Sequence, residues 1–129
     1  MHDKLKVNLH LTERCNASCR HCFGHFHGGC ELDVSGWLRV LGNLARSGRV
    51  EGVNFAGGEP LLYRGLPELI TAARRLGLKV SIITNGLLLL RHPVLGMLGE
   101  LDTLGFSVDS FDASVSRELG RCTKSSHRV

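Results

Sequence analysis

The spacing of three cysteines constrains this chain more than any other feature. Cys15, Cys19 and Cys22 stand on one short loop, directly after an alternating apolar run and before a stretch rich in Gly and His. Soft, polarisable thiolates suit iron and spread its charge. Three of them on one loop can hold three irons of a four-iron, four-sulfur (4Fe–4S) cluster and leave the fourth iron open to a small molecule. The rest of the chain is organised around this loop.

A structural zinc site is the alternative interpretation of the same loop. Zinc takes four protein ligands in a closed tetrahedron, and Cys30, His21, His25 or His27 could supply the fourth. Zinc spacings usually pair two cysteines with a second pair farther along, and that second pair is missing here. We therefore expect Cys30 and Cys122 to be ordinary thiols.

Length and composition limit the classes to which the chain can belong. Its 129 residues make one domain at most, and 43% hydrophobic with 22% charged residues is ordinary for a globular protein. No apolar run reaches the roughly 18 residues of a membrane span, and the N-terminus lacks a signal-peptide pattern, so we expect a cytoplasmic protein with no membrane partner. The net charge of +4 comes with scattered arginines, which fits a phosphorylated small molecule as well as a nucleic acid.

Apolar residues alternate along the chain between the period of a strand and the period of a helix. Strand patterns cover Lys6–Leu11, Gly52–Ala56, Lys79–Thr84 and Thr103–Val108. Helical patterns run from a cap at Asp33 or Ser35 to Gly48, from near Pro67 to Gly77, more weakly over Leu88–Glu100 where Pro93 interrupts, and from Asp112 through Leu119.

This alternation predicts an α/β fold with a parallel sheet of about four βα units, which is about half of a TIM-type barrel. In such folds the active site collects on the loops that follow the strands. Candidate chemistry follows every strand here: the cysteine loop, Gly57-Gly58-Glu59-Pro60, Thr84-Asn85-Gly86 and Ser107-Val108-Asp109-Ser110. Two more βα units would be expected next, so we expect residues 1–129 to be a truncated N-terminal part of the core domain, or one completed by a second chain.

The Gly57-Gly58-Glu59-Pro60 segment has a simple and a functional interpretation. Gly-Gly and Pro are common where a strand ends in a turn. The functional interpretation is that glycines without Cβ atoms let the backbone approach a ligand closely. The carboxylate of Glu59 could then accept a charge-assisted hydrogen bond from an ammonium group.

Three segments resemble the radical S-adenosylmethionine (SAM) superfamily and, within it, the viperin family of nucleotide-modifying enzymes. They are VNLHLTERCN with the cysteine loop that it leads into, VNFAGGEP, and FSVDSFDASVSRELGR. The resemblance runs from Val7 to Arg121. One departure is Phe23-Gly24-His25, where viperins commonly have Phe-His-Thr after the third cysteine.

The resemblance implies a 4Fe–4S cluster on Cys15, Cys19 and Cys22, with SAM beside it. The residues implied to contact SAM are His21, Gly57, Gly58, Glu59, Thr84, Ser107, Asp109 and Arg121. Among them, Glu59 would receive the ammonium group, and Ser107 and Arg121 the carboxylate and nearby polar atoms. His21 stands where the superfamily usually has an aromatic residue that touches the adenine. Asn8 and Asn54, polar residues in apolar strands, could face a substrate or be satisfied core amides.

The resemblance also implies a reaction. The reduced cluster would pass one electron to SAM, which would split into methionine and a 5′-deoxyadenosyl radical. The radical would take hydrogen from ribose C4′ of a nucleoside triphosphate such as CTP. Loss of water with uptake of one further electron and a proton would give the 3′-deoxy-3′,4′-didehydro nucleotide, an antiviral chain terminator. A flavodoxin or ferredoxin would donate the electron. Two alternatives stay open: another radical SAM enzyme such as a peptide maturase, or a non-catalytic fragment that binds a cluster or SAM.

Overall fold

The computed structural model describes residues 4–24 and 30–121. These residues contain one four-stranded sheet in which every neighbouring pair is parallel and the strand order follows the chain. The strands are β1 (Leu5–His10), β2 (Val50–Ala56), β3 (Lys79–Thr84) and β4 (Thr103–Phe106). Sequential parallel order is what successive βα units produce, so the predicted α/β fold of about four such units is confirmed.

Three α-helices follow strands β1, β2 and β4. They are α1 (Val34–Arg46), α2 (Leu66–Arg75) and α3 (Ala113–Glu118). Asp33 caps α1 by accepting a 2.7 Å hydrogen bond from the Gly36 amide, and Asp112 caps α3 in the same way. Within residues 4–24 and 30–121, no helix is both long and apolar enough to cross a bilayer.

The connection from β3 to β4 differs from the prediction. Instead of a weak α-helix over Leu88–Glu100, it contains two short 3₁₀ helices, Leu89–Arg91 and Pro93–Glu100. Pro93 has no amide hydrogen and clashes with the carbonyl of a preceding helical turn, so one helix cannot run through it. Gly96 and Gly99 lower the helical propensity of the second half further.

One face of the sheet forms the core with α1 and α2. Its buried side chains are Leu9, Val53, Phe55, Val80 and Ile82, and the helices add Leu41, Leu69, Ile70 and Ala73. Full burial of each large aliphatic or aromatic side chain contributes about 1.5–3 kcal/mol. Because side chains alternate along a strand, residues such as Asn8 and Asn54 belong to the opposite face. This face is not covered by α1 and α2, so a binding site can form on it.

Candidate active site

A cavity of about 340 Å³ lies on this opposite face, toward the carboxyl ends of the strands. The loop after each strand contributes a residue to the wall of the cavity: Cys15 after β1, Glu59 after β2, Asn85 after β3 and Ser107 after β4. Among the described residues, all the predicted site residues except Asp109 line this cavity, namely Asn8, Cys15, Cys19, His21, Cys22, Asn54, Gly57, Gly58, Glu59, Thr84, Ser107 and Arg121. The fold therefore brings the predicted set together.

The three thiols of the cysteine loop open on this one cavity and none is in a disulfide. Cys15 and Cys19 are partly buried, whereas Cys22 is exposed. Burial raises the pKa of the Cys15 thiol, a hydrogen bond from the Ala17 amide opposes this, and the negative charge of Glu59 adds to the rise. Without a metal this thiol therefore stays protonated at neutral pH, and metal binding has to displace its proton.

The backbone of the cysteine loop is paired to the segment that follows α3. The Ser18 amide donates to the Gly120 carbonyl and the Arg20 amide to the Leu119 carbonyl, both at 3.0 Å. Gly120 has a φ of 80°, and a Cβ atom there would collide with the Ser18 carbonyl. Only glycine combines this backbone conformation with so close an approach.

The Gly57-Gly58 pair makes a second close approach to the cysteine loop. The Gly58 amide donates to the Thr12 carbonyl at 2.7 Å and the Glu59 amide to the Arg14 carbonyl at 2.8 Å. A Cβ atom on Gly58 would collide with the Arg14 carbonyl. The glycines are thus explained by packing of the two loops against each other, and their contact with SAM stays a prediction.

The carboxylate of Glu59 is buried in the wall of the cavity, with 1% of the residue exposed. It accepts hydrogen bonds from the Thr84 hydroxyl at 2.6 Å, the Leu61 amide at 3.1 Å and the Asn85 amide at 2.8 Å. These donors compensate the loss of hydration. The described part of the chain brings no cationic group to this carboxylate as an ion pair, which suits a site for a cationic ligand.

Asp109, Arg121 and His21 meet at the rim of the cavity. The Nε of Arg121 donates to Oδ2 of Asp109, and Nε2 of His21 lies 3.4 Å from Oδ1. The Arg121 hydrogen bond holds the pKa of the Asp109 carboxyl below its usual range, with His21 adding to the effect. Both carboxylate oxygens of Asp109 are thus already engaged by the protein.

Asn8 and Asn54 are partners across β1 and β2. The Asn54 side-chain amide donates to Oδ1 of Asn8 at 3.0 Å, and Oδ1 of Asn54 is buried without a partner among the described residues. The two amides are therefore not fully satisfied core groups. An unpaired acceptor beside the cavity fits the predicted contact with a substrate.

Sequence reasoning missed the roles of Asn85 and of the Arg14–Glu31 pair. The Asn85 side chain donates to Oδ1 of Asn16 at 2.8 Å and lies 3.9 Å from the Cys15 sulfur. Its position after β3, in the Thr-Asn-Gly motif, was a usable signal. Arg14 forms a two-point ion pair with Glu31 at 2.7 and 3.2 Å and donates to the Leu62 carbonyl. No sequence pattern links those residues.

The chemistry of the three thiols can be compared with what a cluster and a single metal ion require. The described residues contain no group of three or more His, Cys, Asp or Glu side chains arranged around one ion. Each thiolate of a cubane binds a different iron. For the zinc alternative, Cys30 lines a different cavity, His21 lines the same cavity as the three cysteines, and His25 and His27 lie outside the described residues. Cys122, expected to be an ordinary thiol, also lies outside them. Three soft thiols on one cavity therefore fit a 4Fe–4S cluster.

Comparison with known proteins agrees with this geometry. The family model of the Radical SAM superfamily matches residues 9–127. The chain is 43% identical over 122 residues to an S-adenosylmethionine-dependent nucleotide dehydratase of Selenomonas ruminantium, covering 93% of the chain and 44% of that protein. It is 36% identical over 115 residues to a protein of the same name from a Thermoplasmatales archaeon (strain ISO4-H5), covering 89% and 41%. The chain thus spans less than half the length of these relatives.

A solved structure shares the fold. The crystal structure of Streptococcus suis SuiB bound to precursor peptide SuiA superposes with a TM-score of 0.78 at 24% identity, covering 92% of this chain and 27% of that chain. Similarity at this level of identity concerns the architecture alone: the parallel sheet and its alternating helices.

Proposed function

This chain belongs to the radical SAM superfamily, and from that premise we propose that it is the cluster- and SAM-binding part of a viperin-type nucleotide dehydratase. The observation that carries the proposal is the convergence of three free thiols and the buried Glu59 carboxylate on one cavity. The names of the relatives support the reaction class. Because the chain spans less than half of those proteins, the activity belongs to the whole enzyme.

The protein's part in the proposed chemistry is to bind and orient. Cys15, Cys19 and Cys22 would hold the 4Fe–4S cluster. When bound and reduced, the cluster with SAM supplies a 5′-deoxyadenosyl radical. The cavity walls would hold the reacting groups in a fixed orientation, which is how a protein contributes to chemistry that its cofactor performs.

The SAM contacts follow from charge. Glu59 would accept the ammonium group, since it is a buried carboxylate with neutral donors only. Arg121 and Ser107 would receive the carboxylate from the opposite rim. Thr84 would act through its hydrogen bond to Glu59, and His21 would stack on the adenine. Gly57 and Gly58 would set the distance between the Glu59 turn and the cysteine loop.

The nucleotide would lie against Asn8 and Asn54. The free acceptor of Asn54 suits a ribose hydroxyl or a base amino group as donor. We propose a nucleoside triphosphate, with CTP first, as the substrate, and its 3′-deoxy-3′,4′-didehydro form as an antiviral product. An electron donor such as a flavodoxin or ferredoxin is a further partner. Reduced thiols and a reductant suggest a cytoplasmic location.

The decisive experiment is anaerobic reconstitution of the whole enzyme that contains this chain, followed by assay of 5′-deoxyadenosine with each nucleoside triphosphate. Nucleotide-dependent formation of 5′-deoxyadenosine together with a dehydrated nucleotide supports the proposal. Its formation independent of every nucleotide contradicts it and favours another radical SAM reaction, such as peptide modification. SAM binding with no cleavage in the presence of a strong reductant favours a non-catalytic fragment.

A further inference from the structure

Asp109 differs from the other candidate SAM contacts in its position. Arg121 and His21 are among the described residues that line the cavity, whereas Asp109 is not. Its carboxylate instead contacts those two side chains: Oδ2 accepts from Nε of Arg121, and Oδ1 lies 3.4 Å from Nε2 of His21. Asp109 therefore contacts two residues of the cavity wall without itself lining the cavity.

We propose that Asp109 is a positioning residue that holds the Arg121 guanidinium, and with it the His21 ring, in the orientation that SAM requires. The proposal rests on the proposed function, because it takes SAM as the ligand of Arg121. It assigns Asp109 a role through Arg121 in place of a direct contact with the cofactor.

Charge supports this assignment. SAM presents a carboxylate where Arg121 is expected to bind, and the like charge of Asp109 at the same point would repel it. Placed behind the guanidinium, the same charge has the opposite effect. It fixes Nε of Arg121 through a charge-assisted hydrogen bond. With Nη2 directed at His21, the terminal nitrogen Nη1 is left for a second carboxylate.

Three separate loops meet at Asp109. His21 belongs to the cysteine loop, Arg121 follows α3, and Asp109 itself follows β4. The terminal nitrogen Nη2 of Arg121 lies 3.5 Å from Nε2 of His21, so both partners face one another as well as the carboxylate. Nearby backbone hydrogen bonds from Ser18 and Arg20 hold the same two loops together without Asp109. Removing the carboxylate should therefore free two side chains without detaching the loops.

The test measures binding of SAM and of 5′-methylthioadenosine to the anaerobically reconstituted chain, without reductant, by calorimetry. Methylthioadenosine keeps the adenosine of SAM and lacks its carboxylate. Asp109→Asn should weaken SAM binding roughly tenfold, the cost of one misdirected charged hydrogen bond. It should weaken methylthioadenosine binding much less, because that ligand uses the His21 contact and not Arg121, and it should leave the iron content unchanged. Asp112→Asn is the matched control, because Asp112 caps α3 and Asn caps equally well. It should change neither affinity.

A double variant separates positioning from direct contact. In an Arg121→Ala background, Asp109→Asn should cost no more SAM affinity than the small loss seen with methylthioadenosine, since Arg121 is gone and only the His21 contact remains. Additive losses, equal losses for both ligands, or unchanged SAM affinity in Asp109→Asn would each overturn the positioning role. A wild-type chain that carries its cluster and binds no SAM would overturn the proposed function itself, and the positioning role with it.

Discussion

The Thr84 hydroxyl donates a 2.6 Å hydrogen bond to the Glu59 carboxylate and so joins the end of β3 to the loop that follows β2. The Asn85 amide donates to the other carboxylate oxygen at 2.8 Å. Both oxygens are thus oriented by protein donors before any ligand arrives. A preoriented charge in a buried wall loses little further freedom when a cationic ligand binds.

Glu59→Gln is expected to weaken SAM binding on the order of a hundredfold while the cluster is retained, because a charge-assisted hydrogen bond contributes about 1.5–3 kcal/mol. The NH₂ group of the glutamine would also face one of the N–H or O–H groups that now donate to Glu59, and two donors cannot hydrogen-bond to each other. The free energy of unfolding should therefore fall by about 1–3 kcal/mol. Titration with SAM and urea unfolding measure the two effects. Glu68→Gln, at an exposed position on α2, is the control. Unchanged SAM affinity would remove Glu59 from the site.

Anaerobic reconstitution with iron and sulfide should give a brown protein with about four irons per chain, as a cysteine-bound cubane requires. Cys19→Ala should abolish the colour and the bound iron. Cys30→Ala should keep both, because Cys30 lies on a different cavity. Stoichiometric zinc with no uptake of iron would contradict the cluster assignment and favour a zinc site.

Gly120→Ala should destabilise the cysteine loop beyond the cost of its backbone conformation. Gly77 is a matched control, since its φ of 77° is close to the 80° of Gly120 but no atom lies within 4 Å of an added Cβ. Gly77→Ala should cost about 1–2 kcal/mol, the usual penalty of left-handed backbone. Gly120→Ala should cost more and speed loss of iron to a chelator. Equal effects of the two substitutions on iron loss would show that the contact with Ser18 is unimportant.

Acidification should weaken the Arg14–Glu31 pair. Hydrogen bonds from Arg14 and Thr12 hold the pKa of Glu31 below its usual range. Because the pKa of Glu31 is lower in the folded chain than in the unfolded chain, the stabilisation is fully present above the unfolded-state pKa of about 4.3. It is lost as the pH falls through the folded-state pKa. The stability difference between wild type and Glu31→Gln should therefore shrink below that pH in urea unfolding.

The same pair is expected to matter for the cluster. Arg14 and Glu31 lie on either side of the cysteine loop, so Glu31→Gln should also speed iron loss to a chelator at neutral pH. Glu51→Gln breaks the 3.0 Å ion pair with Lys79, which lies between two strands, and should leave iron loss unchanged. Identical chelation rates in wild type and Glu31→Gln would exclude this role.

The outer side of β4 is expected to drive association. Phe106 is 52% exposed and Phe111 fully exposed, and β4 ends the sheet formed by the described residues. Unpaired strand edges beside apolar side chains are templates for association. Sedimentation should show dimers or larger species that Phe111→Lys reduces. Leu90→Lys, at another exposed apolar residue, should reduce the dimers and larger species less. An equal effect of the two substitutions would indicate non-specific association through exposed apolar side chains.

Local patterns predicted β1, β2 and β3 well because each of these strands has buried side chains on one face. β4 has none and ends at Phe106, two residues before the predicted Val108. β3 has the predicted bounds, Lys79–Thr84, and β2 starts two residues early, at Val50, where Glu51 hides the alternation. Over Leu88–Glu100 the predicted interruption at Pro93 is confirmed, whereas the predicted α-helical type was wrong, since both segments are 3₁₀ helices. Tertiary context decides such weakly helical segments.

Within the site, sequence identified the side chains and not the contacts between them. Cys15, Glu59 and Ser107 were predictable because each follows a strand of a parallel sheet, and the carboxyl ends of such strands meet. The position of Asp109 behind Arg121 depends on how two loops pack, and no spacing encodes it. Sequence analysis attributed Gly57 and Gly58 to close approach of the backbone to a ligand. In the structure, the close contact of Gly58 is with the Arg14 carbonyl.

The pairing of the cysteine loop with Gly120 has a consequence for the order of assembly. Cys19 and Gly120 are 101 positions apart in the chain, so this contact closes after nearly all of the described residues have been synthesised. Contacts of such long sequence separation form late, since the chain entropy of closing them is lost before they stabilise anything. We therefore expect the three thiols to face an incomplete pocket until Gly120 has been synthesised, and the proposed cluster to be inserted only after Gly120 has paired with the cysteine loop.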